Sequence, residues 1–246
     1  MKMFASLLLV ASALGSVAAH CNCTGTVNGG SDSSAYICND SRLGPQVLPH
    51  NLPLGSFLSS YDRFGGLTPG EFLKKWTDGK GNFVYPPQNG FQLDVNGNAI
   101  NGTMHLEVGT LVDRFGSEYG SFISAASAPY SQRALPPSNL DTNPSAPDFP
   151  YNYHIYRVLK SFPVVGGPIA PWFGQPGLGA QFYTGGLGNI MALIQGGYLK
   201  KEDPAVLIAG RKDGIVPVLS PDEQEEHATK ATKTADQRTQ DANLQT

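Results

Sequence analysis

Residues 111–181 constrain this chain more than any other stretch. They string together D-R-F-G (113–116), R-A-L-P-P (133–137), Y-H-I-Y-R-V (153–158) and a glycine–proline loop, A-P-W-F-G-Q-P-G-L-G-A-Q (170–181). Arginines, glycines, aromatics and an amide set in and beside turns are what a protein needs to grip a phosphorylated, ring-bearing small molecule. Guanidinium forks pair bidentately with phosphate oxygens. Glycines let backbone approach a ligand, and aromatic faces stack on flat heterocycles. The same punctuation continues outside the stretch. With 29 glycines, 19 prolines and 15% charged residues, the chain describes a turn-rich, β-containing protein better than a helical bundle. The expected class is α+β: a compact, loop-rich antiparallel β-sheet core with short helices, plus a disulfide-stapled N-terminal extension.

Residues 1–19 read as a secretory leader. Lys2 supplies the positive start, residues 4–14 an apolar run, and Val17-Ala18-Ala19 a small-residue cleavage site. That run is too short to span a bilayer, and no later stretch reaches the required length. The expectation is a secreted, extracellular protein, with association to a cell surface left open. The secretory route gives weight to three N-glycosylation triplets, at Asn22, Asn39 and Asn101. Cys21, Cys23 and Cys38 follow the leader, and in an oxidising compartment they suggest one intrachain bridge plus a spare thiol. No further Cys or His cluster completes a four-ligand metal set around them. A net charge of −3 argues against nucleic acid, whose backbone demands a basic stripe.

The organisation expected is a leader (1–19), a cysteine-bearing extension (20–51), a lead-in (52–90), a main domain (91–220) and a polar tail (221–246) without aromatics. In the lead-in, Thr68, Pro69 and Glu71 make an N-cap, a first-turn proline and a capping box, predicting a helix to about Trp76. Asn96-Gly97 signals a hairpin. Near-alternation over 104–112 predicts one half-buried strand leading into D-R-F-G. Residues 151–159 read as the best strand of the chain. Residues 164–188 read as loop, 190–195 as a short strand or helical turn, and 214–219 as an apolar edge. D-R-F-G occurs twice, at 62–65 and 113–116. The flanks differ, so the two copies read as similar turns rather than a duplication.

Several familiar chemistries are missing. There is no G-x-S-x-G nucleophile elbow, no H-E-x-x-H, and no phosphate-binding P-loop or dinucleotide fingerprint. The arginines are the better clue. Arg114 has Asp113 beside it as an obvious structural partner, whereas Arg133 stands as evenly balanced between ligand and structure. His154, between tyrosines in a strand, fits packing before chemistry. Gln181 closes the glycine loop with an amide that both donates and accepts. Trp172, beside Phe173, is either a core plug or a stacking wall.

The ordered set D-R-F-G, G-S-F-I-S, R-A-L-P-P, Y-H-I-Y-R-V and G-Q-P-G-x-G-x-Q resembles the tuberculosis necrotizing toxin (TNT) domain, and in particular its secreted fungal branch of NAD glycohydrolases. The earlier Y-D-R-F-G-G-L-T-P-G-E-F and Y-P-P-Q-N-G-F are similar to the lead-in of those proteins. The resemblance covers residues 60–198 and makes 91–220 the catalytic domain. It implies hydrolysis of the nicotinamide–ribose bond of NAD+ and NADP+ without an organic cofactor, by a homodimer. It would give Arg114, with Phe115 beside it, and Arg133 the phosphates. Phe122 would lie at the nicotinamide end, Gln181 near the scissile ribose, and His154 on a histidine implicated in the toxin. Phe122 stands where the toxin carries a tyrosine, so a role for that hydroxyl does not transfer. Acidic residues after the stretch of resemblance suggest calcium, with Glu202 and Asp203 as the chosen pair, although no EF-hand spacing is present. Two other readings stand beside this one: a non-catalytic surface protein with a nucleotide-like pocket, and a nuclease using the arginines and His154, which the acidic balance disfavours.

Overall fold

The computed structural model describes residues 22–26 and 33–209. The leader, Cys21, residues 214–219 and the polar tail lie outside the described residues. One unit of the chain runs to Lys201 and a second begins at Glu202, where α4 (Val206–Ala209) is the helix described. Seven strands are β1 (Gly102–Leu106), β2 (Leu111–Phe115), β3 (Phe122–Ala125), β4 (Tyr153–Val158), β5 (Phe162–Pro168), β6 (Ala180–Tyr183) and β7 (Leu199–Glu202). They form one sheet in the order β1-β5-β6-β3-β2-β4-β7. The β1–β5, β5–β6, β6–β3, β3–β2 and β2–β4 pairings are all antiparallel. Three further short helices are α1 (Leu54–Phe57), α2 (Pro69–Trp76) and α3 (Ile190–Gln195).

Because side chains alternate along a strand, the register decides which residues share a face. One face carries Val112, Ile123, Tyr156, Val158, Val164 and Phe182, which pack with Ile190 and Leu193 of α3 into the main core. Each such large apolar side chain contributes about 1.5–3 kcal/mol on burial. The other face carries a cross-strand row made by Asp113 opposite Ser124, Ser124 opposite Gln181, and Gln181 opposite Gly167. That row is polar. The sheet therefore divides structure from chemistry.

The extension is stapled by Cys23–Cys38. Arg42 pairs with Asp40 at 2.6 Å, and Arg63 donates to the carbonyls of Leu43 and Pro45. The expected capping box is present: Thr68 and Glu71 satisfy each other's backbone N–H at the start of α2. That helix buries Phe72 and Leu73 against Leu43 and Phe173 in a second, smaller core.

Three local expectations are corrected. The strand expected over 104–112 is two strands, because Glu107 and Gly109 turn the chain between them. β1 then pairs with β5, and β2 lies between β3 and β4. The loop expected over 164–188 contains β5 and β6. Glycine content misled there: a side chain at Gly167 would collide with the Ile100 carbonyl and lie 3.0 Å from the Phe91 ring. Glycine is thus demanded by close packing over a strand rather than by a turn. Finally, the second D-R-F-G is not a turn, since Asp113, Arg114 and Phe115 belong to β2. At 190–195 the helical alternative holds, capped by Asn189, whose side chain accepts from Ala192 N–H.

Candidate active site

On the polar face of the sheet lies a cavity of about 370 Å³, within the usual range for small-molecule sites. Its walls include Arg114, Phe115, Phe122, Ser124, Arg133 and Gln181. Residues distant in sequence thus meet in one place: β2, β3 and β6 supply the floor, the 3-10 turn Tyr130–Arg133 one side, and the 85–90 loop another.

The two arginines differ sharply. Arg133 is 3% exposed and forms a two-pronged pair with Asp113, at 2.6 and 2.8 Å. Its Nε and Nη2 also donate to the Ala128 carbonyl, and its guanidinium carbon lies 5.1 Å from the Phe115 ring centre. Asp113 is fully buried and accepts from the Tyr153 hydroxyl and Ser127 N–H as well. Such a network is satisfied within itself. It also neutralises the one carboxylate in the cavity wall.

Arg114 is held more loosely. Its Nε donates to the Ser117 carbonyl at 2.8 Å and its Nη1 to the Phe122 carbonyl at 2.6 Å. Nη2 makes no hydrogen bond to the described residues. The guanidinium lies across the turn after β2, where a side chain at Gly120 would collide with it. Burial lowers its pKa from the ordinary arginine value, opposed by Tyr156 and Tyr85. It remains a cation at any physiological pH.

Gln181 is also buried. Its Nε2 donates to the Asn89 carbonyl at 2.9 Å, which fixes the amide and leaves Oε1 without a partner among the described residues. Phe122, packed against Tyr183 at 4.9 Å between ring centres, lines the same cavity, as does Phe115.

The remaining predicted residues lie elsewhere. His154 faces Arg114 across the β2–β4 pairing but is not part of the cavity wall. It belongs to a buried group behind the wall. There Glu118 accepts from the Tyr156 hydroxyl at 2.9 Å and from Lys201 at 2.6 Å, with His154 Nδ1 3.8 Å away. Burial lowers the His154 pKa, Glu118 opposes that, and Lys201 and Arg114 reinforce it. Trp172 packs on Trp76 at 5.2 Å and donates to the Val84 carbonyl, again outside the wall. Asp203 accepts from Ala205 N–H. Among the described residues no three His, Cys, Asp or Glu side chains gather as metal ligands, so Glu202 and Asp203 alone do not make a calcium cage. Asn22, Asn39 and Asn101 are exposed.

Sequence reasoning did not single out Tyr85, Asn89, Ser124 or Asn139, all in the wall. A signal existed for three of them. Tyr85 and Asn89 belong to Y-P-P-Q-N-G-F, and Ser124 closes G-S-F-I-S.

Residues 105–201 match the family model described as tuberculosis necrotizing toxin. The conidial surface nicotinamide adenine dinucleotide glycohydrolase nadA of Aspergillus fumigatus is 51% identical over 174 residues, covering 70% of this chain and 73% of that protein. The chain belongs to the tuberculosis necrotizing toxin family. Within it, the fungal surface glycohydrolase is a near relative. Among solved structures, the toxin complexed with its immunity factor aligns at 20% identity over 68% of this chain and 80% of that one, with a TM-score of 0.36. Tse6 in complex with Tsi6 aligns at 18% identity over 42% and 72%, with a TM-score of 0.29. Among the described residues no helix is long and apolar enough to cross a membrane.

Proposed function

We propose that this chain is an NAD+ glycohydrolase, splitting NAD+ into nicotinamide and ADP-ribose, and NADP+, as a second substrate, into nicotinamide and the 2′-phosphorylated ADP-ribose. One observation carries the reading. In a chain 51% identical over 174 residues to a glycohydrolase, Gln181, whose amide oxygen has no partner among the described residues, and Arg114, whose Nη2 has none, line the same cavity.

The chemistry fits that wall. Nicotinamide in NAD+ is already a cationic leaving group and needs no proton to depart. The C1′–N bond breaks with its electron pair going to the ring nitrogen, leaving an oxocarbenium-like ribosyl group. Water adds at C1′ and releases one proton to solvent. An amide oxygen held still beside that centre accepts from a ribose hydroxyl or from the attacking water, and its partial negative charge favours the cationic transition state. Arg114 offers a cation to the pyrophosphate, so remote binding energy can hold the ribose in a reactive geometry. Arg133, with most of its donors committed, contributes by keeping Asp113 neutralised and the wall rigid. Phe122 and Phe115 supply apolar surface for the nicotinamide end. His154 acts from behind the wall through Arg114 and Glu118.

The rest of the reading is extracellular location, glycans at Asn22, Asn39 and Asn101, and a homodimer. The central experiment incubates purified protein with a fluorescent NAD+ analogue. Fluorescence release is expected, with Gln181→Ala losing at least about a hundredfold in kcat. Full activity in both Gln181→Ala and Arg114→Ala would refute the reading. Silence of the wild type would favour a non-catalytic pocket.

A further inference from the structure

The amide that the reaction relies on is itself held by an unusual piece of backbone. Gln88, Asn89 and Gly90 have φ values of 53°, 58° and 76°, three consecutive residues in the left-handed region. For a side chain bearing Cβ that region is unfavourable, with asparagine among the residues that tolerate it. Two such residues side by side at a cavity wall need the surroundings to hold them. The loop is fastened on both sides. Trp172 Nε1 donates to the Val84 carbonyl at 2.7 Å, Ala170 N–H to the Gly90 carbonyl at 2.9 Å, and Gln92 N–H to the Pro168 carbonyl at 2.8 Å. Pro86 and Pro87 stiffen the entry. The outcome is that the Asn89 carbonyl points at Gln181 Nε2, 2.9 Å away.

Resting on the glycohydrolase reading, we propose that Asn89 is a positioning residue: its left-handed backbone, not its side chain, turns its carbonyl onto Gln181 and sets which end of that amide faces the substrate. An amide presents a donor at one end and an acceptor at the other, and only the acceptor suits a cationic ribosyl centre. Without a fixed acceptor for Nε2, Gln181 can rotate and offer its NH2 group instead. Asn89 is exposed, so its side chain is not needed to fill a core. This also gives Trp172 a task away from the substrate, as one of the fasteners of the loop.

The test is a series at position 89, made both in the wild type and in Gln181→Ala. Asn89→Gly tolerates the left-handed backbone and is expected to lose the least kcat of the series. Asn89→Ala should lose about threefold and the β-branched Asn89→Val about tenfold or more, with KM within about threefold. In the Gln181→Ala background all four residues at 89 should give the same kcat, because the carbonyl acts only through that amide. The proposal is overturned if Asn89→Gly is as poor as Asn89→Val, if Asn89→Val matches the wild type, or if the Asn89→Val loss persists undiminished without Gln181. Melting curves separate loss of folding from loss of turnover. A wild type that does not hydrolyse NAD+ would remove the functional reading but not this one. Hydrogen exchange of the Gln181 side-chain amide should then still quicken in Asn89→Val and not in Asn89→Gly, and equal rates would overturn it.

Discussion

The tetrapeptide D-R-F-G occurs twice in this chain, and the two copies do opposite things. In the first, Asp62 accepts from Phe64 N–H within a turn that Gly65 closes. Arg63 reaches out to two carbonyls of the extension, and Phe64 joins the second core through Phe72. In the second, Asp113 is fully buried in a strand and pairs with Arg133, twenty residues away, rather than with its neighbour. Arg114 is thereby left to the cavity. Four identical residues give a surface clamp in one place and part of a cavity wall in the other. The difference comes from what lies next to them in space: the first copy has the extension to hold, the second lies in a strand between β3 and β4. Local sequence sets the options, and tertiary partners choose among them.

The sharpest test of that contrast removes each aspartate. Asp113→Ala leaves the Arg133 guanidinium buried without its counter-charge, which costs about 3–5 kcal/mol. Asp62→Ala loses one turn hydrogen bond, about 1 kcal/mol or less. Urea denaturation of both variants should show this gap, and similar losses would break the comparison. The arginines come next. Arg114→Lys keeps the charge but loses the fork that holds two carbonyls, so kcat/KM should fall by about tenfold to a hundredfold with modest change in stability. Arg63→Lys should cost about 1 kcal/mol of stability and leave kcat/KM within about twofold. Were Arg63→Lys the more damaging to turnover, the roles assigned to the two copies would be reversed.

Much of this was legible before the structure. The capping box at Thr68 and a strand within 151–159 follow from local rules, and D-R-F-G, G-S-F-I-S, R-A-L-P-P and Gln181 all contribute to one cavity. What sequence could not show was non-local. Adjacency, which is all that a sequence displays, offers Arg114 as the partner of Asp113, yet adjacent strand residues point to opposite faces and seldom pair. β5 and β6 look like loop in the sequence because Gly166 and Gly167 resemble turn signals. They are needed where Met104 and Phe91 press on the strands. Asn89 carried no distinguishing mark within its motif. Its importance lies in a backbone angle and in a carbonyl that every residue possesses.

A pH-dependent effect ties the first copy to the cavity. Asp141 ends the 3-10 turn Pro137–Leu140, whose Asn139 donates to the Phe115 carbonyl in the cavity wall. Its Oδ1 is buried without a hydrogen bond, and burial pushes its pKa up to about 7, opposed by Arg63 of the first D-R-F-G. The unfolded chain titrates near 3.8, so between that value and about 7 the native state binds more protons at this site. Stability contributed by Asp141 is therefore full below about pH 4 and falls as pH rises through 7, with a slope of no more than one proton. Subtracting the Asp141→Asn variant from the wild type, by chemical denaturation from pH 4 to 8, should isolate that decline. Arg63→Gln should extend the decline above pH 7, since the neighbouring cation no longer helps the carboxyl ionise. A difference curve that rises with pH would mean that Asp141 is stabilised as an anion, and its link to Arg63 would then be a conventional ion pair.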